Sequence, residues 1–149
     1  MDHQPKTEDL KNAKTMMEIG QSYSEVFSLS QEQVKAFADV TGDHNPLHID
    51  ADYAANTVFK KPIVHGIFGI SIFSKILGMK FPGEGTVYMK QEISFKRPMY
   101  IDSQYEAIAT VKEINRERHQ AVIETKITDK ETGKVCATGE AQIMNSEKI

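Results

Sequence analysis

The chain has 149 residues, room for one domain and too little for two of ordinary size. Lys and Arg number 18 against 21 Asp and Glu, a formal charge of −3, and 40% of the residues are apolar. These figures exclude a disordered or collagenous chain, and they give no general attraction to nucleic acid or to an anionic membrane surface.

Its single cysteine, Cys136, rules out an internal disulfide framework and fits a reducing, cytoplasmic compartment. No segment approaches the ~20 apolar residues of a membrane helix. Residues 1–16 read as a flexible extension ahead of one domain over residues 17–149. The extension carries Asp2, Glu8 and Asp9 among its lysines and lacks the apolar run of a targeting signal. Within it and just beyond, KNAKTMME at 11–18 has the makings of two helical turns.

In residues 23–29, Tyr23, Glu25, Phe27 and Leu29 alternate with Ser24, Val26 and Ser28, which predicts a short strand. Ser30 followed by Gln33 has capping-box spacing and opens a helix with Val34, Phe37 and Ala38 on one face. Gly42 closes it. Pro46 then keeps Asn45 out of helical geometry, and Asp50 caps a second short helix through Ala55. Residues 62–79 are apolar nearly all round, from Ile63 to Met79, which predicts one helix of about eighteen residues buried on every side.

After a turn at 82–85 the period changes to two. Val87, Met89, Gln91, Ile93 and Phe95 form one face of a strand, and Tyr105, Ala107, Ala109 and Val111 one face of the next. Strands over 122–128 and 135–143 follow, joined by a turn at 129–133. A helix that is apolar all round needs a sheet curved about it, so the fold class is α+β with a curved antiparallel sheet around a long central helix.

Polar chemistry concentrates in TGDHNPLH at 41–48. Asp43 and His48 are five residues apart across the Asn45-Pro46 bend, which lets a carboxylate and an imidazole meet, hold a water and move its proton. The plainer alternative is that Asp43 caps local N–H groups and His48 is a satisfied histidine. His44 and His48 have the spacing of a helical zinc pair, but the intervening proline opposes a continuous helix and no other ligand cluster follows. GISIF at 69–73 lacks the second glycine of a nucleophile elbow. In PIVHG at 62–66, Gly66 permits close approach to a backbone N–H that would suit a developing enolate oxygen; close packing against the sheet explains it equally well. Ser74 lies eight residues on, on nearly the same helical face, unless its hydroxyl only bonds the preceding turn.

FADVTGDHNPLHIDADYA at 37–54 resembles the signature of the MaoC-like, or hydratase-2, family of (R)-specific enoyl-CoA hydratases. The likeness continues through KKPIVHGIFGISIFSKILG, GTVY and ISFKRP, and covers roughly residues 17–144. It implies a hot dog fold and reversible syn hydration of a trans-2-enoyl thioester to the (R)-3-hydroxyacyl thioester, with no metal or redox cofactor. By the same resemblance Asp43 and His48 are the catalytic pair, Asn45 supports them, Gly66 N–H is the oxyanion donor and Ser74 stands near the dyad. Lys60, Lys61, Pro62 and His65 are the substrate-binding candidates. The basic pairs Lys60-Lys61 and Lys96-Arg97 suit the phosphates of coenzyme A, an acidic acyl carrier protein, or neither if they form only a solvated rim. The alternatives to a hydratase are a 3-hydroxyacyl-acyl-carrier-protein dehydratase, a thioesterase and a non-catalytic acyl-thioester-binding protein. A homodimer with sheets joined edge to edge is the family's arrangement.

Overall fold

A computed structural model of the chain describes residues 16–149. The expected extension therefore lies, but for Met16, outside the described residues, and residues 16–18 are not helical. In chain order the elements are β1 (Ser22–Phe27), α1 (Gln31–Thr41), α2 (Pro46–Ile49), α3 (Ala51–Ala55), α4 (Gly66–Ile70), α5 (Ile72–Lys75), a π-helical turn (Ile76–Lys80), β2 (Val87–Phe95), β3 (Tyr105–Asn115), β4 (Gln120–Asp129) and β5 (Val135–Met144). The five strands form one antiparallel sheet in the order β1-β3-β4-β5-β2, which leaves β1 and β2 as its edges.

Alternation does what the sequence predicts. Ala107, Ala109 and Val111 of β3, Ala121, Ile123 and Ile127 of β4, and Ala137, Ala141 and Ile143 of β5 are buried on one face. Phe73, Ile76 and Leu77 are buried in the same cluster, so the sheet closes around the helical segment as expected. The small residues on β3 and β5 let the helix sit close to the strands. At Gly139 the approach is tighter still: a Cβ there would fall 1.8 Å from the main-chain oxygen of Glu92 on β2.

The first helix has its full capping box, Ser30 accepting from Gln33 N–H and Gln33 accepting from Ser30 N–H, and it ends at Gly42 with φ of 82°. Asp50 caps α3 by accepting from Tyr53 N–H.

The central helix requires correction. It begins at Gly66 rather than Pro62, because Ile63 pairs with Tyr100 as a β-bridge and Val64 N–H donates to Met99 O at 2.8 Å. Two β-branched residues behind a proline favour extended backbone. The helix is also interrupted at Ser71 and widens into the π turn. Nor is it enclosed on all sides, since Ile67 is 61% and Met79 71% exposed on the single chain.

Candidate active site

Gly42, in the left-handed conformation, turns the chain out of α1 and delivers Asp43. One carboxylate oxygen of Asp43, Oδ1, accepts Asn45 N–H at 3.2 Å, an Asx turn. Its other oxygen, Oδ2, lies 3.9 Å from His65 Nε2. Asn45 then caps α2, its side chain accepting Leu47 N–H at 3.1 Å with Pro46 at the first helical position. This short helix turns His48 inward, where it is only 9% exposed.

His48 Nδ1 lies 2.7 Å from the carbonyl oxygen of Ile63. A carbonyl only accepts, so the proton sits on Nδ1 and Nε2 presents its lone pair. Burial lowers the His48 pKa from its usual 6.5, opposed in part by the Ile63 bond, with His65 nearby adding to the lowering. The ring is therefore an uncharged acceptor at neutral pH. His65 stacks on it with centroids 3.9 Å apart and planes inclined by 28°.

Asp43, His48 and His65 place ligand-capable atoms within 4.8 Å of one another. They do not fit a metal centre. A coordinated ion lies in the plane of each imidazole about 2.0–2.1 Å from nitrogen. Two stacked rings inclined by only 28° have planes that meet well beyond that reach. Asp43 and His48 suit proton handling better.

The sequence-derived zinc pair is not assembled. His44 is directed outward, with Nε2 3.0 Å from Asp39 Oδ1 and Nδ1 3.3 Å from Gly42 O. The Asp39 carboxylate raises the His44 pKa above 6.5, with the Gly42 carbonyl adding to the effect.

His48 and Gly66 line a cleft of about 440 Å³ with Phe59, Ile63, Val64, Ile67, Phe95, Met99 and, on the same wall, Lys96, Arg97 and Pro98. Two larger clefts, of about 600 and 640 Å³, lie at the β3–β4 end of the sheet and across its strands. Neither contains a histidine, whereas the smaller one holds His48; Asp43 lines none of the three and reaches the site only through its proximity to His48 and His65. Glycine at 66 is required by packing: a Cβ would meet the Phe95 ring at 2.7 Å. Its amide makes no hydrogen bond among the described residues.

The structure places the other expected site residues as follows. Asn45 supports Asp43 through its main-chain N–H, because its side chain is engaged in capping α2. Ser74 is exposed and does not line the cleft, because eight helical residues turn it about 80° away from Gly66 rather than onto the same face. His65 is not on a substrate-facing surface: it is 3% exposed and packed behind His48. Lys60, Lys61 and Pro62 also lie outside the cleft lining, Lys61 resting 4.7 Å over the Tyr100 ring. Phe95 and Met99, far downstream, supply walls that local sequence could not assign.

Residues 11–135 match the family model for the MaoC-like domain. The chain is 36% identical over 127 residues to the (R)-specific enoyl-CoA hydratase of Aeromonas caviae, covering 85% of this chain and 94% of that protein. It is 37% identical over 125 residues to the (R)-specific enoyl-CoA hydratase of Rhodospirillum rubrum, covering 84% and 85%. Among solved structures it is similar to the (R)-hydratase from A. caviae involved in PHA biosynthesis, with a TM-score of 0.83, 36% identity, and coverage of 87% of this chain and 97% of that one.

Proposed function

Because the chain belongs to the MaoC-like domain family, we propose that it is an (R)-specific enoyl-CoA hydratase, adding water reversibly to trans-2-enoyl-CoA. The observation that carries this reading is the convergence of a cleft-lining His48, its Nδ1 occupied by the Ile63 carbonyl, with the Asp43 carboxylate, ligand-capable atoms of the two lying within 4.8 Å. Both groups are acceptors, and a water has two O–H bonds to give. Held by both, the water loses one proton to the pair as its oxygen bonds to Cβ of the enoyl group. The pair returns that proton to Cα on the same face, so addition is syn and no atom is left over. Electron density moves meanwhile onto the thioester oxygen, and the donor for it is Gly66 N–H, a reading supported by Gly66 lining the same cleft as His48. No step needs a metal or a redox cofactor.

Lys96 and Arg97 line the same cleft, so they, rather than Lys60 and Lys61, are the residues for coenzyme A phosphates. The working molecule is a homodimer joined through the β2 edge. No helix among the described residues is long and apolar enough to cross a membrane. The cytoplasm, where coenzyme A thioesters and a free cysteine are both at home, is its place of action.

The test is hydration of crotonyl-CoA, followed by loss of the conjugated enoyl absorbance and by the configuration of the 3-hydroxybutyryl product. Asp43→Asn and His48→Ala should each lose between ~10²- and ~10⁴-fold in kcat while melting near the parent. A product of S configuration, or parent-like rates in both variants, would overturn the reading. Faster turnover of the matched acyl-carrier-protein thioester would transfer it to the carrier-protein substrate.

A further inference from the structure

His65 takes no part in the water-handling step, yet its side chain is held from every direction. Its neighbour Val64 donates to Met99 O at 2.8 Å, and its own carbonyl accepts Gly69 N–H at 3.0 Å, so the backbone is fixed between the extended segment and α4. The ring stacks 3.9 Å from His48 and packs 4.7 Å from Phe37, which itself stacks on Phe68. Its Nε2 lies 3.1 Å from the main-chain oxygen of Asp43. That oxygen can only accept, so Nε2 carries the proton and Nδ1 presents a lone pair. Nδ1 is buried and has no hydrogen-bond partner among the described residues. Simple packing would be better served by an apolar ring, because a buried polar atom without a partner is unfavourable. What histidine supplies here and phenylalanine cannot is the Nε2–H bond to the Asp43 main chain.

We infer that His65 is a positioning residue for hydration, its Nε2–H pinning the backbone of Asp43 while its ring face pins His48, so that carboxylate and imidazole are held close to each other beside the cleft. The assignment rests on the reading of Asp43 and His48 as the water-holding pair. It explains how an exposed carboxylate on a four-residue turn keeps its place: the turn is bonded from behind by a buried side chain. Misplacement of such a group by about 1 Å can cost on the order of 10²-fold in rate.

His65→Phe keeps an aromatic ring and removes the donor; His65→Asn keeps a donor on a smaller side chain. Both are compared with the parent by steady-state hydration of crotonyl-CoA and by ¹⁵N relaxation of the amides of residues 42–45. For His65→Phe, kcat should fall between ~10- and ~100-fold with KM within about twofold, and the 42–45 amides should gain motion. His65→Asn should recover part of the lost kcat and of the loop order. Parent-like kcat in whichever variant folds, or loop amides unmoved in His65→Phe, would reduce His65 to a packing residue. If the parent itself fails to hydrate crotonyl-CoA, the hydratase reading falls, while the relaxation data still decide whether His65 holds the loop.

Discussion

A histidine that donates from one nitrogen and accepts at the other works only while it is uncharged, so the pH dependence of the pair is set by the His48 environment. Burial lowers the His48 pKa below 6.5. As pH falls through that lowered value Nε2 gains a proton, the water loses its acceptor and kcat/KM declines. The acid limb of the pH–rate profile should therefore lie below pH 6.5, the ordinary value for an exposed histidine. The stability sign is the same. Between the unfolded value and the lower folded one the unfolded chain binds more protons, so stability contributed by His48 is complete above pH 6.5 and is lost as pH falls through the window beneath it. Chemical denaturation of the parent and of His48→Gln across pH 5–7 tests this, the variant losing that part of the slope. An acid limb above pH 6.5 would contradict it. The closeness of Asp43 and His48 was legible in the sequence because they stand five residues apart around Pro46. The placement of His65 against both was not, because it depends on the chain returning through Ile63 and Val64 to lie behind α2, a non-local contact that no spacing encodes.

Strands were legible for the same local reason that the central helix was not. Alternation in β3 and β4 marks the face toward the core, whereas a segment apolar on all sides has no 3.6-residue stripe to reveal where it starts or breaks. The breaks at Pro62 and Ser71 are set by pairing with Tyr100 and by the resetting of helical bonds. Strand order is likewise non-local: β2 runs beside β5, about fifty residues downstream, and Gly139 opposite Ile93 permits it. A Cβ at 139 would meet main-chain atoms of Glu92 at 1.8 and 2.7 Å, and backbone cannot swing aside as a side-chain tip can. Gly139→Ala should therefore push β2 off β5 and cost about 3 kcal/mol, lowering Tm by roughly 10 °C. Gly78→Ala is the control: nothing lies within 4 Å of its Cβ position, and it should change stability by about 1 kcal/mol or less. Equal melting of the two variants would show that the close β2–β5 approach does not exist.

The single chain leaves its edge unfinished. β2 is nine residues long and carries Val87 at 49%, Met89 at 48% and Phe95 at 48% exposure, with Ile67 and Met79 still more exposed. Ile67 and Phe95 also wall the cleft that holds His48. Lys90 and Glu92 put charge on this edge, but its length and its exposed Val87, Met89 and Phe95 still leave an open template for pairing on an isolated chain. β1, the opposite edge, is six residues long, and its alternate positions are Ser22, Ser24 and Val26. The asymmetry points to β2 as the covered edge, and a strand meeting its own copy about a two-fold axis closes the assembly without leaving a new edge. Light scattering should therefore return twice the chain mass at micromolar concentration. Met89→Lys places a charge in that seam without touching the cleft lining, and should yield monomers with reduced kcat/KM, because the wall at Ile67 and Phe95 loses its cover. A parent that is monomeric and fully active would remove the dimer. A Met89→Lys monomer of undiminished activity would leave the dimer standing but detach it from the chemistry, placing the complete cleft within one chain.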